Sequence, residues 1–165
     1  MENLWKNLDL IKSGIENPKQ ILEKQITYLN EAMDGLIEAS FESATFGPKT
    51  QKIIKDNKLD NDFSYGICLE SNYVEDYSYH LLAITYGIKF YPLCIIVSDG
   101  IAEELERKLG SELDDIKLDL GRYLIKSQEE FLNILSHILN SNELMTILQN
   151  LKNLAESEKE SSFRF

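Results

Sequence analysis

The sequence is poor in the residues that most often build disulfide scaffolds, metal sites and histidine-based catalytic centres. It contains only two cysteines and two histidines in 165 residues. Cys68 and Cys94 lie far apart, each in an apolar segment, whereas a disulfide scaffold normally needs more cysteines in a shorter chain. We therefore predict that both are reduced core residues of a cytoplasmic protein, and that the chain holds no metal ion and no other cofactor.

Basic residues are also scarce. The chain has 17 Lys and Arg against 28 Asp and Glu, for a net charge of −11. Binding to nucleic acid phosphates or to anionic lipids draws on Lys and Arg, so this balance opposes nucleic acid and membranes as partners. It favours a basic protein partner, although acidity of this size can equally serve only to keep a protein in solution.

A hydrophobic run long enough for a membrane helix is missing as well. Such a helix needs about 20 apolar residues, but the longest run, residues 79–100, carries Gly87, Lys89 and Pro92 near its middle. A lysine at the centre of a membrane helix costs about 2.5–3.5 kcal/mol. Aromatic and β-branched residues dominate the run, which favours strands. We predict two buried strands or one long bent strand in this run. The N-terminal residues show no signal-peptide pattern.

Helix and strand patterns along the chain predict an α+β fold. Asn17 is the predicted N-cap of a helix that has Pro18 at its first position and ends before Gly35. Elsewhere, apolar residues recur at helical spacing or alternate as in strands. The predicted elements are strands in 36–46, 63–70, the central run and 115–125, helices over 99–110, 128–139 and 142–155, and a long flexible connection over 47–62.

The predicted element order is α-β-β-β(β)-α-β-α-α. This order is typical of a single mixed sheet of about four to five strands with helices packed on it. We predict one domain over residues 1–154 and a flexible C-terminal tail over residues 155–165.

No catalytic motif stands out in the sequence. Gly-rich phosphate loops and the G-x-S-x-G nucleophile motif are missing, and His80 and His137 lack a ligand partner three or four residues away. Glu38 and Glu42 share one face of a predicted strand, where carboxylates most often only meet solvent. The sequence predicts no catalytic residue and favours a protein that is not an enzyme.

Tyrosine and acidic residues are concentrated together in the middle of the chain. Tyrosine suits surfaces where its ring is partly buried and its hydroxyl meets a partner, and phenols beside carboxylates suit Arg and Lys. An ordinary sheet with aromatic cross-strand pairs would show the same pattern. We predict a partner-binding face formed by Glu70, Tyr73, Glu75, Asp76, Tyr77 and Tyr79.

The order of a helix, three strands, a helix and a strand resembles the core of restriction-endonuclease-like nucleases. The resemblance implies a divalent cation held by acidic residues, with Glu70 and Glu31 as candidates, and by an acid-x-Lys triplet ending at Lys89. Gly87 occupies the acid position of that triplet. The loss of this central carboxylate favours an inactive relative or a coincidental resemblance over an active nuclease.

Three functions stay open at this point. The first is a non-enzymatic interaction module, such as an immunity protein or antitoxin, that neutralises a basic partner through its acidic, Tyr-rich face. The second is a divalent-metal nuclease or an inactive relative. The third is a structural subunit that self-assembles through the leucine stripe of its last helix (Leu144, Leu148, Leu151, Leu154). The sequence favours the first.

Overall fold

The computed structural model describes residues 1–11 and 15–161, and within them one six-stranded sheet packs with five α-helices. The helices are α1 (Pro18–Met33), α2 (Pro48–Asp56), α3 (Asp99–Leu109), α4 (Gln128–Leu139) and α5 (Asn142–Ser161). The strands are β1 (Glu38–Ser43), β2 (Phe63–Glu70), β3 (Ser78–Tyr86), β4 (Leu93–Val97), β5 (Lys117–Asp119) and β6 (Arg122–Ile125). Short 3-10 turns lie at Leu8–Leu10 and Gly110–Leu113.

The strands are arranged in the order β1-β2-β3-β4-β6-β5, and every neighbouring pair is antiparallel. The predicted α+β class is confirmed. The sheet has six strands where about four to five were expected, and it is antiparallel throughout rather than mixed.

One face of the sheet forms the main core. Tyr65, Ile84, Ile95 and Tyr123 are register partners across four adjacent strands, and the last three are completely buried. Because side chains alternate along each strand, every second residue points to this face, where α1, α4 and α5 contribute their apolar stripes. The other face is covered only in part, and this difference positions the candidate site.

Several local predictions are confirmed. Asn17 accepts a hydrogen bond from the backbone N–H of Gln20, which caps α1, and Pro18 is its first residue. The central apolar run forms two strands, β3 and β4, joined by a turn that contains Gly87 and Pro92. No helix in the described part of the chain is long and apolar enough to cross a membrane.

The prediction of a flexible connection over 47–62 was wrong, because this segment contains α2. Only Thr50 and Ile54, one helical turn apart, are buried in it, so the sequence shows almost no apolar periodicity there. The helix is held by a tertiary contact, a 2.9 Å hydrogen bond from the Arg122 Nε to the Thr50 hydroxyl. Since Arg122 and Tyr123 point to opposite faces of the sheet, α2 lies on the face opposite the main core.

The prediction of one strand over 115–125 was also wrong, because this segment forms the β5–β6 hairpin. Gly121 closes the turn with a positive φ of 76°, a conformation that glycine adopts without steric cost. Leu118 therefore lies on β5, Leu120 in the turn and Tyr123 on β6, instead of following one another along a single strand.

The last helix continues beyond Leu154 to Ser161, into the segment predicted as a tail. Ala155 is completely buried and continues the inward stripe, whereas Leu154 is 52% exposed rather than aligned with the other leucines. Leu144, Leu148 and Leu151 are buried within the chain itself. Residues 162–165 of the predicted tail lie outside the described residues.

Candidate functional site

The partly covered face of the sheet contains a cavity of about 610 Å³. Its floor is a single cross-strand row of register partners, Glu42, Gly66, Ala83 and Ile96, from β1 to β4. The two central positions are occupied by glycine and alanine, whose small size leaves the floor hollow. The cavity therefore follows from the choice of side chains on one row of the sheet.

The walls of the cavity come from two chain segments that leave the sheet. Residues 43–46 run from β1 towards α2, and Ser98 and Asp99 stand at the start of α3. Among the described residues that line the cavity, Glu42, Asp99 and His80 are the titratable ones, and none is Lys or Arg. The cavity is therefore suited to cations and poorly suited to phosphates or other anions.

Three potential metal ligands from three strands meet beside the cavity. A carboxylate oxygen of Glu42 on β1, the Sγ of Cys68 on β2 and a ring nitrogen of His80 on β3 all lie within 4.8 Å of one another. Glu42 and His80 are exposed and line the cavity, whereas Cys68 is only 2% exposed. The Cys68 thiol donates a hydrogen bond to a carboxylate oxygen of Glu70, which lies 3.8 Å from the Sγ.

A register shift in the β2–β3 pair makes this cluster possible. Ile67 pairs with Leu82, but the next residue, Cys68, pairs with His80 instead of Leu81. In an unbroken register His80 would pair with Leu69 and point into the helix-covered core. The bulge turns His80 to the face that carries Cys68, and bulges are frequent next to functional sites.

The Cys68 thiol is not an activated nucleophile. Burial raises its pKa, and the negative charges of Glu70 and Glu42 raise it further. A catalytic cysteine normally needs the opposite environment, with a cation or a helix N-terminus that favours the thiolate. The cluster is therefore chemically suited to holding a cation and unsuited to covalent catalysis.

The sequence predicts no shared role for the three residues of this cluster. Cys68 is predicted to be a core residue, and its burial is confirmed. Glu42 is predicted to meet solvent, and its exposure is confirmed. Strand alternation does predict that Glu42 and Cys68 each point away from the apolar side of their strand. The position of His80 could not be predicted in this way, because it depends on the bulge.

Acidic residues surround the cluster on the same face. Glu38 on β1 and Glu70 on β2 are register partners at the end of the sheet where the β2–β3 turn begins, and both are exposed. Glu75 and Asp76 are exposed in that turn. We call these four residues together with Glu42 the acidic surface. No ion pair among the described residues joins any of the five to a Lys or Arg.

The predicted partner-binding tyrosines divide into two groups. Tyr79 is half-buried on the opposite face, where its hydroxyl hydrogen-bonds to that of Ser98 at 2.7 Å. The ring of Tyr73 is also half-buried and lies 5.8 Å from the Nζ of Lys159 on α5. Tyr77 is 37% exposed beside Glu75 and Asp76. Tyr77 is thus the most exposed tyrosine of the predicted face.

The residues implied by the nuclease resemblance are not brought together. Glu70 pairs with Ser78 at one end of the β2–β3 hairpin, whereas Lys89 lies in the turn after Tyr86 at the other end. The two ends are roughly 24 Å apart at about 3.4 Å per residue. Glu31 is exposed on α1, which packs against the opposite face of the sheet.

When the chain was compared with protein-family models, curated proteins and solved structures, nothing matched. The function proposed for the chain therefore depends on the geometry and charge of the partly covered face of the sheet.

Proposed function

We propose that this chain is a protein-interaction module that binds a basic protein through the acidic surface. The observation that supports this proposal most directly is that Glu38 on β1 lies opposite Glu70 on β2. Like charges directly opposite each other on adjacent strands are destabilising. No Lys or Arg in the described part of the chain forms an ion pair with either carboxylate, so both are well placed to accept Lys or Arg side chains from another protein.

The chemistry of the surface supports a protein partner rather than nucleic acid. Carboxylates form charge-assisted hydrogen bonds with Arg and Lys, and the exposed ring of Tyr77 adds a partner for cation–π contact. The net charge of −11 would speed association with a basic protein and make it sensitive to salt.

The partner class that fits best is a protein whose own function needs a basic surface, such as one that binds nucleic acid phosphates. Covering that surface would block its activity. This is how an immunity protein or an antitoxin would act, and we propose this role for the chain. The nuclease and self-assembly alternatives receive no comparable support from the arrangement of their residues.

The test begins with capture of a binding protein from the native cell, followed by measurement of its Kd with purified components. Glu75→Lys combined with Asp76→Lys is expected to weaken binding at least tenfold at low salt, since charge-assisted hydrogen bonds contribute about 1.5–3 kcal/mol each. The matched control is Glu31→Lys with Glu112→Lys, which changes the net charge equally at exposed sites outside the acidic surface. Equal affinities of the two double variants would refute the proposal.

A second variant separates binding from folding. Glu38→Gln removes one member of the like-charge pair, so it is expected to leave the protein as stable or slightly more stable while weakening partner binding. A variant that is both stable and fully competent in binding would show that the pair has no role in recognition.

A further inference from the structure

We infer that Glu42, Cys68 and His80 form a binding site for Zn²⁺ that is open to the cavity. Thiolate, imidazole and carboxylate are the three side-chain ligands that zinc uses in proteins. With metal–ligand distances of about 2.0–2.3 Å, tetrahedral coordination separates its ligand atoms by roughly 3.3–3.8 Å. The three atoms are already within 4.8 Å of one another, so small rotamer changes complete the arrangement.

The mixed donor set selects the kind of metal. Mg²⁺ and Ca²⁺ prefer oxygen ligands throughout, whereas a site with one sulfur, one nitrogen and one oxygen suits zinc and its neighbours in the transition series. Binding displaces the proton of the Cys68 thiol to solvent, because the thiolate is the ligand form.

Two further features of the structure support a metal site at this cluster. The bulge at Cys68 brings His80 to this face, against the regular alternation of β3. Glu70, with an oxygen 3.8 Å from the Cys68 Sγ, adds negative charge beside the ligands. The carboxylates of Glu42 and Glu70 together give this region a negative potential, which favours a bound cation.

The position of the site determines how the metal would behave. Cys68 is buried beneath the surface, whereas Glu42 and His80 are exposed and line the cavity. Three protein ligands leave a fourth position towards the cavity, as in zinc sites that exchange a ligand rather than closed structural sites. We therefore expect the metal to be removable by a chelator without unfolding of the chain.

The test uses the full chain, treated with a chelator and titrated with Zn²⁺ and separately with Co²⁺. We expect one Zn²⁺ per chain, no displacement by millimolar Mg²⁺, and a thiolate-to-Co²⁺ charge-transfer band in the near ultraviolet. The loss of a ligand is expected to lower Zn²⁺ affinity at least about 100-fold, since loss of a mere outer-shell partner costs 10–100-fold. Cys68→Ser must also abolish the charge-transfer band.

The chain supplies matched controls, because it contains only one other cysteine and one other histidine. His80→Ala should remove binding, whereas His137→Ala and Cys94→Ala should retain it. His80 and His137 are both exposed, so neither substitution should disturb folding. An absence of saturable Zn²⁺ binding, or equal binding by the His80→Ala and His137→Ala variants, would overturn the site. Neither result would affect the partner-binding test, which uses residues outside the three ligands.

Discussion

The buried carboxylate of Glu104 on α3 accepts the backbone N–H of Asn142, the first residue of α5, at 2.7 Å. The same carboxylate also accepts hydrogen bonds from the backbone N–H of Glu143 at 2.8 Å and from the Lys108 ammonium at 3.0 Å. The first N–H groups of a helix have no partner within the helix, and negative charge is favourable at that end. One side chain therefore joins two helices and caps one of them.

Glu104→Gln is expected to lower the free energy of unfolding by about 1–3 kcal/mol, because hydrogen bonds to a buried charged group are lost. Urea denaturation at neutral pH measures the change. Glu103→Gln, at the exposed neighbouring position, serves as the control and should have little effect. Similar losses for the two variants would contradict the capping role.

The same residue predicts a pH dependence. Burial acts to raise the pKa of Glu104, but hydrogen bonds from Lys108 and the N–H groups of Glu143 and Asn142 outweigh it, so the pKa is lowered on folding. A lowered pKa means that the stabilisation is fully present above the unfolded value of about 4.3 and is lost as the pH falls through the folded value. The difference in unfolding free energy between wild type and Glu104→Gln should shrink in acid. A constant difference from neutral to acidic pH would contradict this.

Thr50→Val tests how α2 is attached to the sheet. It removes the acceptor for the Nε of Arg122, whose side chain is largely buried, and should cost about 1–3 kcal/mol. Backbone amides of α2 should then exchange faster with solvent than those of α1. Thr146→Val, at an exposed position on α5, makes the same chemical change and should alter neither measurement.

Gly121→Ala is expected to destabilise the protein more than Gly35→Ala, although both glycines have positive φ. A methyl group at Gly35 meets nothing within 4 Å, so only backbone strain of about 1–2 kcal/mol is expected there. A methyl group at Gly121 would lie 2.9 Å from the carbonyl oxygen of Val97, which adds a steric cost of about 1–3 kcal/mol. Thermal unfolding of the two variants decides the order.

Cys94 should be inert in the folded protein. Burial raises the pKa of its thiol to about 12, despite the opposing influence of Arg122. In a Cys68→Ala variant, a thiol reagent at pH 8 should therefore react with Cys94 only after urea is added. Rapid reaction without urea would mean that this strand opens readily.

The parts of the fold that were predicted correctly depend on local patterns. The cap at Asn17, the apolar stripe of α4 and the two strands of the central run are each specified by residues close together in the sequence. The parts that were missed depend on distant contacts. The buried residues of α2 are too few to show a period, and the helix needs Arg122, 72 positions away, to hold it.

The candidate site shows the same division. Acidic and tyrosine-rich residues could be recognised in the sequence, but which of them share a face could not. Tyr79 and His80 are neighbours in the chain and point to opposite faces of the sheet, and only the pairing of β3 with β2 determines which one joins Cys68. Register is a property of two strands together, so no pattern within either strand specifies it.

Three strands that are consecutive in the chain, β2, β3 and β4, are also neighbours in the sheet, with β2 paired to β3 and β3 paired to β4. Such a meander closes only short loops, so its contacts can form early at little entropic cost. The formed strands can then guide the slower pairing of β1 with β2 and of β6 with β4. The bulge and two of the three proposed zinc ligands lie inside this meander, whereas Glu42 belongs to β1. The third ligand would thus arrive only when the edge of the sheet is completed.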